Sequence, residues 1–144
     1  MIKVGIIGAG LIGKKRVESI CFNDQESKII AICDIDIGKA EALARKYGVY
    51  ACQDWKDIIN NKEINSVVIA TPNKCLKEIS LGALANNKHV LCEKPLGRNK
   101  KEAKEIYLKA KRKNKILKTG FNHRHHPAIH QAKNLIENNE LISV

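Results

Sequence analysis

Aromatic residues make up only 4% of the 144-residue chain, with a single Trp, and proline occurs three times. Few platforms for stacking bases are therefore available, which argues against single-stranded nucleic acid as a partner. No apolar run approaches the roughly 18 residues that mark a membrane-crossing helix, so no membrane partner is expected. The cysteines, at positions 21, 33, 52, 75 and 92, are odd in number and contain no C-x-x-C pair. Neither a disulfide framework nor a zinc site is expected from them, and a reducing, cytoplasmic setting is. Acidic side chains are in the minority, 15 against 26 Lys and Arg, for a formal charge of +11. The basic excess is spread over turns and polar helix faces, with one modest cluster between Lys100 and Lys115, and reads as a solvated surface rather than a nucleic-acid face. Its expected benefit is attraction of an anionic cofactor or substrate. A basic leader and cleavage site are also missing ahead of the first strand pattern, so no export signal is expected.

What remains is a chain long enough for one buried core, with apolar runs alternating with amphipathic stretches from end to end. Strand-like runs lie at 2–7, 28–33, 66–70, 88–92 and 116–120, with a weaker one at Val49-Tyr50-Ala51. Between them, Ala40, Leu43, Ala44 and Tyr47 recur at helical spacing, as do Ala103, Ile106, Tyr107 and Ala110, so each set is expected to press one stripe against a sheet. Further helices are expected from Leu11, over 55–59, over 75–85, and from Pro127 to Glu137. Gly48 is expected to end the helix before it. Alternation of this kind predicts a single α/β domain with a Rossmann-like, doubly wound parallel sheet. Leu141-Ile142-Ser143-Val144 reads as the opening of another strand. Either the chain is a piece of a longer protein, or a partner covers that end.

The first strand run leads directly into Gly8-x-Gly10-x-x-Gly13, and Asp34 closes the second strand run, about 20 residues further on. The first glycine permits a tight turn, the second lets a diphosphate approach bare backbone, and the third lets the helix pack on its strand. The helix beginning near Leu11 offers unpaired N–H groups and a positive dipole end to the phosphates. Asp34 is placed to accept the two ribose hydroxyls of an adenosine. A 2′-phosphate there would meet the carboxylate's charge, and Ile35-Asp36-Ile37 supply no arginine to neutralise it, so NAD is expected in preference to NADP. Lys39 and Arg45 are the cations that could reach over.

Three more segments follow strand runs: Ala70-Thr71-Pro72-Asn73, Cys92-Glu93-Lys94-Pro95, and Gly120-Phe121-Asn122-His123-Arg124-His125-His126-Pro127-Ala128. With the glycine turn and Asp34, they resemble the N-terminal half of the glucose-fructose oxidoreductase, inositol dehydrogenase and rhizopine catabolism (Gfo/Idh/MocA) family along the whole chain. The resemblance implies NAD(P)-dependent oxidation or reduction of a sugar, polyol or nucleotide sugar at a secondary alcohol or carbonyl. It implies that Gly8, Gly10, Leu11, Ile12, Gly13 and Asp34 hold the adenosine and diphosphate. Thr71, Pro72 and Asn73 would line the middle of the cofactor, and Glu93 and Lys94 the nicotinamide end. It also implies a cis Lys94-Pro95 bond that aims Lys94 inward, as a cation beside the alkoxide that develops when hydride leaves. Leu76 stands where the family often has a histidine, which removes any contact made through that imidazole.

Four of the five histidines lie between His123 and His130. His126 and His130 could share a helix face, but Pro127 and the want of further ligands argue against a metal site. Asn122, Arg124 and His125 either flank the nicotinamide and an anionic group of the substrate or form a polar loop. The resemblance accordingly implies an NAD-binding domain over residues 1–122, with residues 123–144 as a connecting helix and the start of a C-terminal substrate domain. That further domain would supply the substrate pocket, the proton acceptor and an oligomerisation surface, so the chain alone is expected to bind cofactor with little turnover. The alternative is a stand-alone NAD-binding or sensing module that acts through a partner protein.

Overall fold

A computed structural model describes residues 1–23 and 26–138. The strands are β1 (Ile2–Ile7), β2 (Ser27–Cys33), β3 (Tyr50–Cys52), β4 (Ser66–Ile69), β5 (His89–Cys92) and β6 (Leu117–Thr119). They alternate with helices α1 (Leu11–Asn23), α2 (Ile37–Tyr47), α3 (Trp55–Asn60), α4 (Asn73–Ala85) and α5 (Lys100–Arg112). A 3-10 turn (Asn122–His125) and α6 (Pro127–Glu137) follow β6. All strand pairs are parallel, in the order β3-β2-β1-β4-β5-β6. This is the expected Rossmann-like sheet, and its order reverses direction between β1 and β4.

Burial on both faces explains why the central strands are continuous apolar runs rather than alternating ones. On one face Val17 of α1 and Leu43 and Ala44 of α2 pack against Val4, Ile6 and Ile32. On the other, Ile58 of α3, Leu76 and Ile79 of α4 and Ile106 of α5 pack against Ile7, Val67 and Ile69. Each fully buried Ile or Leu contributes on the order of 1.5–3 kcal/mol relative to exposure, so the sheet centre carries much of the stability.

Local signals set the helix ends. Asp36 caps α2 by accepting from the Lys39 N–H (3.4 Å), Asp54 caps α3 from the Lys56 N–H (2.9 Å), and Asn99 caps α5 from the Glu102 N–H (3.0 Å). Gly48 ends α2 at φ 63°, a left-handed conformation that a Cβ would disfavour, as expected from its place after Tyr47.

Two expectations need correction. Tyr107 is 55% exposed rather than part of the buried stripe of α5, which runs through Glu102, Ile106 and Ala110; the Glu102 carboxylate is held by Arg98 through an ion pair and a bond from the Arg98 N–H (2.9 Å). The fourth helix begins at Asn73 and not near Cys75, so the Thr71-Pro72-Asn73 segment is itself a helix entry. The strand expected over residues 141–144 lies outside the described residues. Among those described, no helix is long and apolar enough to cross a membrane.

Candidate functional site

The chain leaves β1 for one face of the sheet and β4 for the other, and between these two exits, at the carboxyl ends of the strands, a cleft of about 970 Å³ opens. Gly8 turns the chain at φ +105°, and a Cβ there would stand 2.5 Å from the Ala70 carbonyl oxygen. A Cβ on Gly13 would overlap the Gly8 carbonyl oxygen, so this glycine lets α1 sit down on the turn. Gly10 differs from both: a Cβ on it would meet nothing within 4 Å, and its bare backbone lines the open cleft.

Two helix entries, Leu11-Ile12 of α1 and Thr71-Pro72 before α4, form walls of the cleft. Neither first turn carries an acidic residue, and α4 has no side-chain cap. Their leading N–H groups and positive dipole ends are thus left for a ligand. The Thr71 hydroxyl is buried with no hydrogen-bond partner among the described residues, an arrangement that normally calls for a ligand or water.

Asp34, half-buried at the end of β2, is fixed by two backbone donors: the Ala9 N–H to Oδ2 (2.7 Å) and the Asp36 N–H to Oδ1 (3.0 Å). Each oxygen keeps a lone pair for a hydroxyl. Lys39 also lines the cleft, but its ammonium is paired with Asp36 (3.1 Å). That carboxylate, and more weakly Asp34, hold Lys39 above the ordinary lysine range. Arg45 is exposed in the last turn of α2 and lines no part of the cleft. The far wall holds residues no motif announces: Ile35 (86% exposed), Trp55, and Gln53, whose amide donates to the Ile35 carbonyl (2.9 Å).

Further along the rim, at the end of β5, Glu93 is 7% exposed. Its Oε1 accepts from Arg16 Nε (2.7 Å) and from Arg16 Nη2, and Nη2 also donates to Asn122 Oδ1 (2.7 Å). Arg16 had no sequence signal beyond lying three residues after Gly13. The Lys94–Pro95 peptide is cis, as the resemblance implies. Lys94 itself is exposed and has no ion-pair partner among the described residues.

The structure therefore gathers Gly8, Gly10, Leu11, Ile12, Asp34, Thr71 and Pro72 around one cleft, with Gly13 packed under the turn. Glu93 and Asn122 form a second cluster through Arg16. Asn73, Lys94, Arg124 and His125 are exposed and line no part of the cleft. His126 is the cap of α6, its Nδ1 accepting from the Ala128 N–H (3.2 Å). Leu76 is fully buried in the core and is not among the residues that line the cleft. Among the described residues, no three His, Cys, Asp or Glu side chains converge as metal ligands do.

A dinucleotide fits this donor set. Open backbone at Gly10 with the entries of α1 and α4 suits a diphosphate, and the fixed Asp34 carboxylate suits a ribose. Residues 2–121 match the GFO_IDH_MocA family, described as an oxidoreductase family with an NAD-binding Rossmann fold. The inositol 2-dehydrogenase of Salmonella typhimurium is 32% identical over 97% of this chain and 43% of its own length. The glucose-6-phosphate 3-dehydrogenase of Bacillus subtilis is 34% identical over 98% of this chain and 39% of its own. The crystal structure of scyllo-inositol dehydrogenase from Lactobacillus casei, with bound NAD(H) and scyllo-inositol, superimposes with a TM-score of 0.90 at 25% identity, covering 97% of this chain and 42% of that one. The chain thus spans about two fifths of the length of the relatives it matches.

Proposed function

Because this chain belongs to the Gfo/Idh/MocA oxidoreductases and has their NAD-binding Rossmann fold, we propose that it is the cofactor-holding part of a dehydrogenase for a sugar, polyol or nucleotide sugar. The observation that carries this is the convergence of the glycine turn, Asp34 and the unpartnered Thr71 hydroxyl on one cleft. The α1 N–H groups hold the diphosphate, and Asp34 accepts from the adenosine ribose hydroxyls. NAD is favoured over NADP because a 2′-phosphate would meet Asp34, while Lys39 is already neutralised by Asp36.

A bound nicotinamide supplies the hydride acceptor for a secondary alcohol. Lys94 places a positive charge beside the substrate oxygen as negative charge develops on it. Asn73 lines the middle of the cofactor, Glu93 and Asn122 bound the nicotinamide end, and Arg124 and His125 face the substrate. Residues 1–122 form the cofactor domain, and residues 123–144 lead toward a substrate domain that provides the pocket, the proton acceptor and an assembly surface in the cytoplasm. Calorimetric titration tests the reading: NADH binds, NADPH binds at least about tenfold more weakly, and Asp34→Ala narrows that gap. Failure of the chain to bind either coenzyme removes the proposal.

A further inference from the structure

Glu93 poses a problem that its own strand does not solve. A carboxylate this deeply buried needs a cation, and Lys94, its neighbour in sequence, is exposed and unpaired among the described residues. The cation comes instead from α1, the helix whose first turn lines the cleft. Arg16 reaches across from that helix to Glu93 at the end of β5 and, with the same Nη2, to Asn122 in the 3-10 turn after β6. The space is tight, since a Cβ on Gly120 would stand 2.6 Å from Glu93 Oε2. Both Arg16 bonds to Glu93 fall on Oε1, and Oε2 has no protein partner among the described residues.

The strand order places this cluster relative to a ligand. Asp34 ends β2, the glycine turn ends β1, Ala70 and Thr71 follow β4, and Glu93 follows β5, in sequence along one rim. With neighbouring strands about 4.8 Å apart, a dinucleotide whose adenosine ribose sits at Asp34 and whose diphosphate sits at Gly10 extends its other half toward β4 and β5. Arg16 is therefore on the helix that holds the diphosphate and is bonded to the groups where the other half ends.

We propose that Arg16 is a positioning residue for the nicotinamide half of the site: its guanidinium fixes Glu93 and Asn122 against α1, so that the helix gripping the diphosphate also sets the platform on which the nicotinamide rests. The inference depends on the dinucleotide reading above. It assigns no contact with the adenosine half to Arg16, and this separates the two experimentally.

The test uses the whole chain with two ligands, NADH and ADP-ribose, the second lacking the nicotinamide. The unsubstituted chain is expected to bind both and to change the fluorescence of the reduced nicotinamide. Arg16→Gln is expected to weaken NADH at least about tenfold and abolish that fluorescence change, while ADP-ribose affinity stays within about twofold. Arg16→Lys, which keeps one charge but lacks the planar fork, should restore part of the NADH affinity. Asn122→Ala alters an exposed side chain and serves if Arg16→Gln melts the protein; it is expected to give a smaller loss with the same ligand selectivity. Equal losses for both ligands, or no loss for either in a folded variant, overturn the positioning role. Failure of the unsubstituted chain to bind ADP-ribose overturns the dinucleotide reading instead.

Discussion

The two ends of the rim are built from different materials. Around Gly8, Gly10 and Asp34 the polar groups are almost all backbone, fixed by the turn, the helix entries and a carboxylate anchored on two N–H donors. Around Glu93 they are side chains, fixed by one guanidinium from another element. Backbone donors are lost only to proline or displaced by a Cβ in the wrong place, whereas a side-chain clamp is removed by any substitution of the residue that makes it.

The contrast can be broken most severely at Gly13. Gly13→Ala forces a methyl into the Gly8 carbonyl and should cost about 3 kcal/mol in urea unfolding, with binding lost alongside. Gly10→Ala sharpens the point, because its methyl enters open cleft: stability should stay within about 0.5 kcal/mol while coenzyme affinity falls at least about tenfold. Asp34→Ala should weaken NADH by about 10- to 100-fold, measured by calorimetry, since it removes charge-assisted acceptors from the ribose and frees the Ala9 N–H.

Two groups away from the rim serve as controls that move stability alone. Lys88, buried at the start of β5, donates to the carbonyls of Asn61 and Ile64 at 2.6 Å each, and burial pushes its pKa down. Lys88→Met leaves the Ile64 carbonyl unpaired and the Asn61 carbonyl with only the Ile64 N–H (3.3 Å), and should cost about 1–3 kcal/mol with coenzyme affinity unchanged. The smallest effect concerns His89, whose Nδ1 accepts from the Ile116 N–H (3.0 Å) and must be neutral to do so. Burial, then the charge of Lys115, holds its pKa below the ordinary 6.5. The unfolded chain therefore takes up the proton first, and His89's contribution is present above about pH 6.5 and lost as pH falls toward the lower folded value. Melting at pH 7.5 and 5.5 should show this loss, and His89→Gln should reduce it.

The same division governs how much the sequence disclosed. The glycine turn, Asp34, the sheet and most helix bounds depend on residues close together along the chain, and each carries a spacing or capping signal. Arg16 and Glu93 are 77 positions apart, and nothing local to either declares the bond. Gln53 and Trp55 reach the cleft only because β3 lies beside β2, a tertiary fact with no motif. Tyr107 misleads for the opposite reason: helical spacing puts it beside the apolar stripe, yet the buried line of α5 runs through Glu102, Ile106 and Ala110, with Glu102 neutralised by Arg98. The departure at Leu76 was visible as a letter, yet its consequence, a side chain sealed in the core, required the fold.

The position of β1 between β2 and β4 bears on how the protein comes together. A fragment stopping after β3 would contain all three motif glycines and Asp34, yet own only half a crevice, because the Ala70-Thr71 side arrives with the fourth strand. Nucleotide capture therefore reports the joining of the two halves of the sheet, and during synthesis it becomes possible only after the second half has begun to emerge.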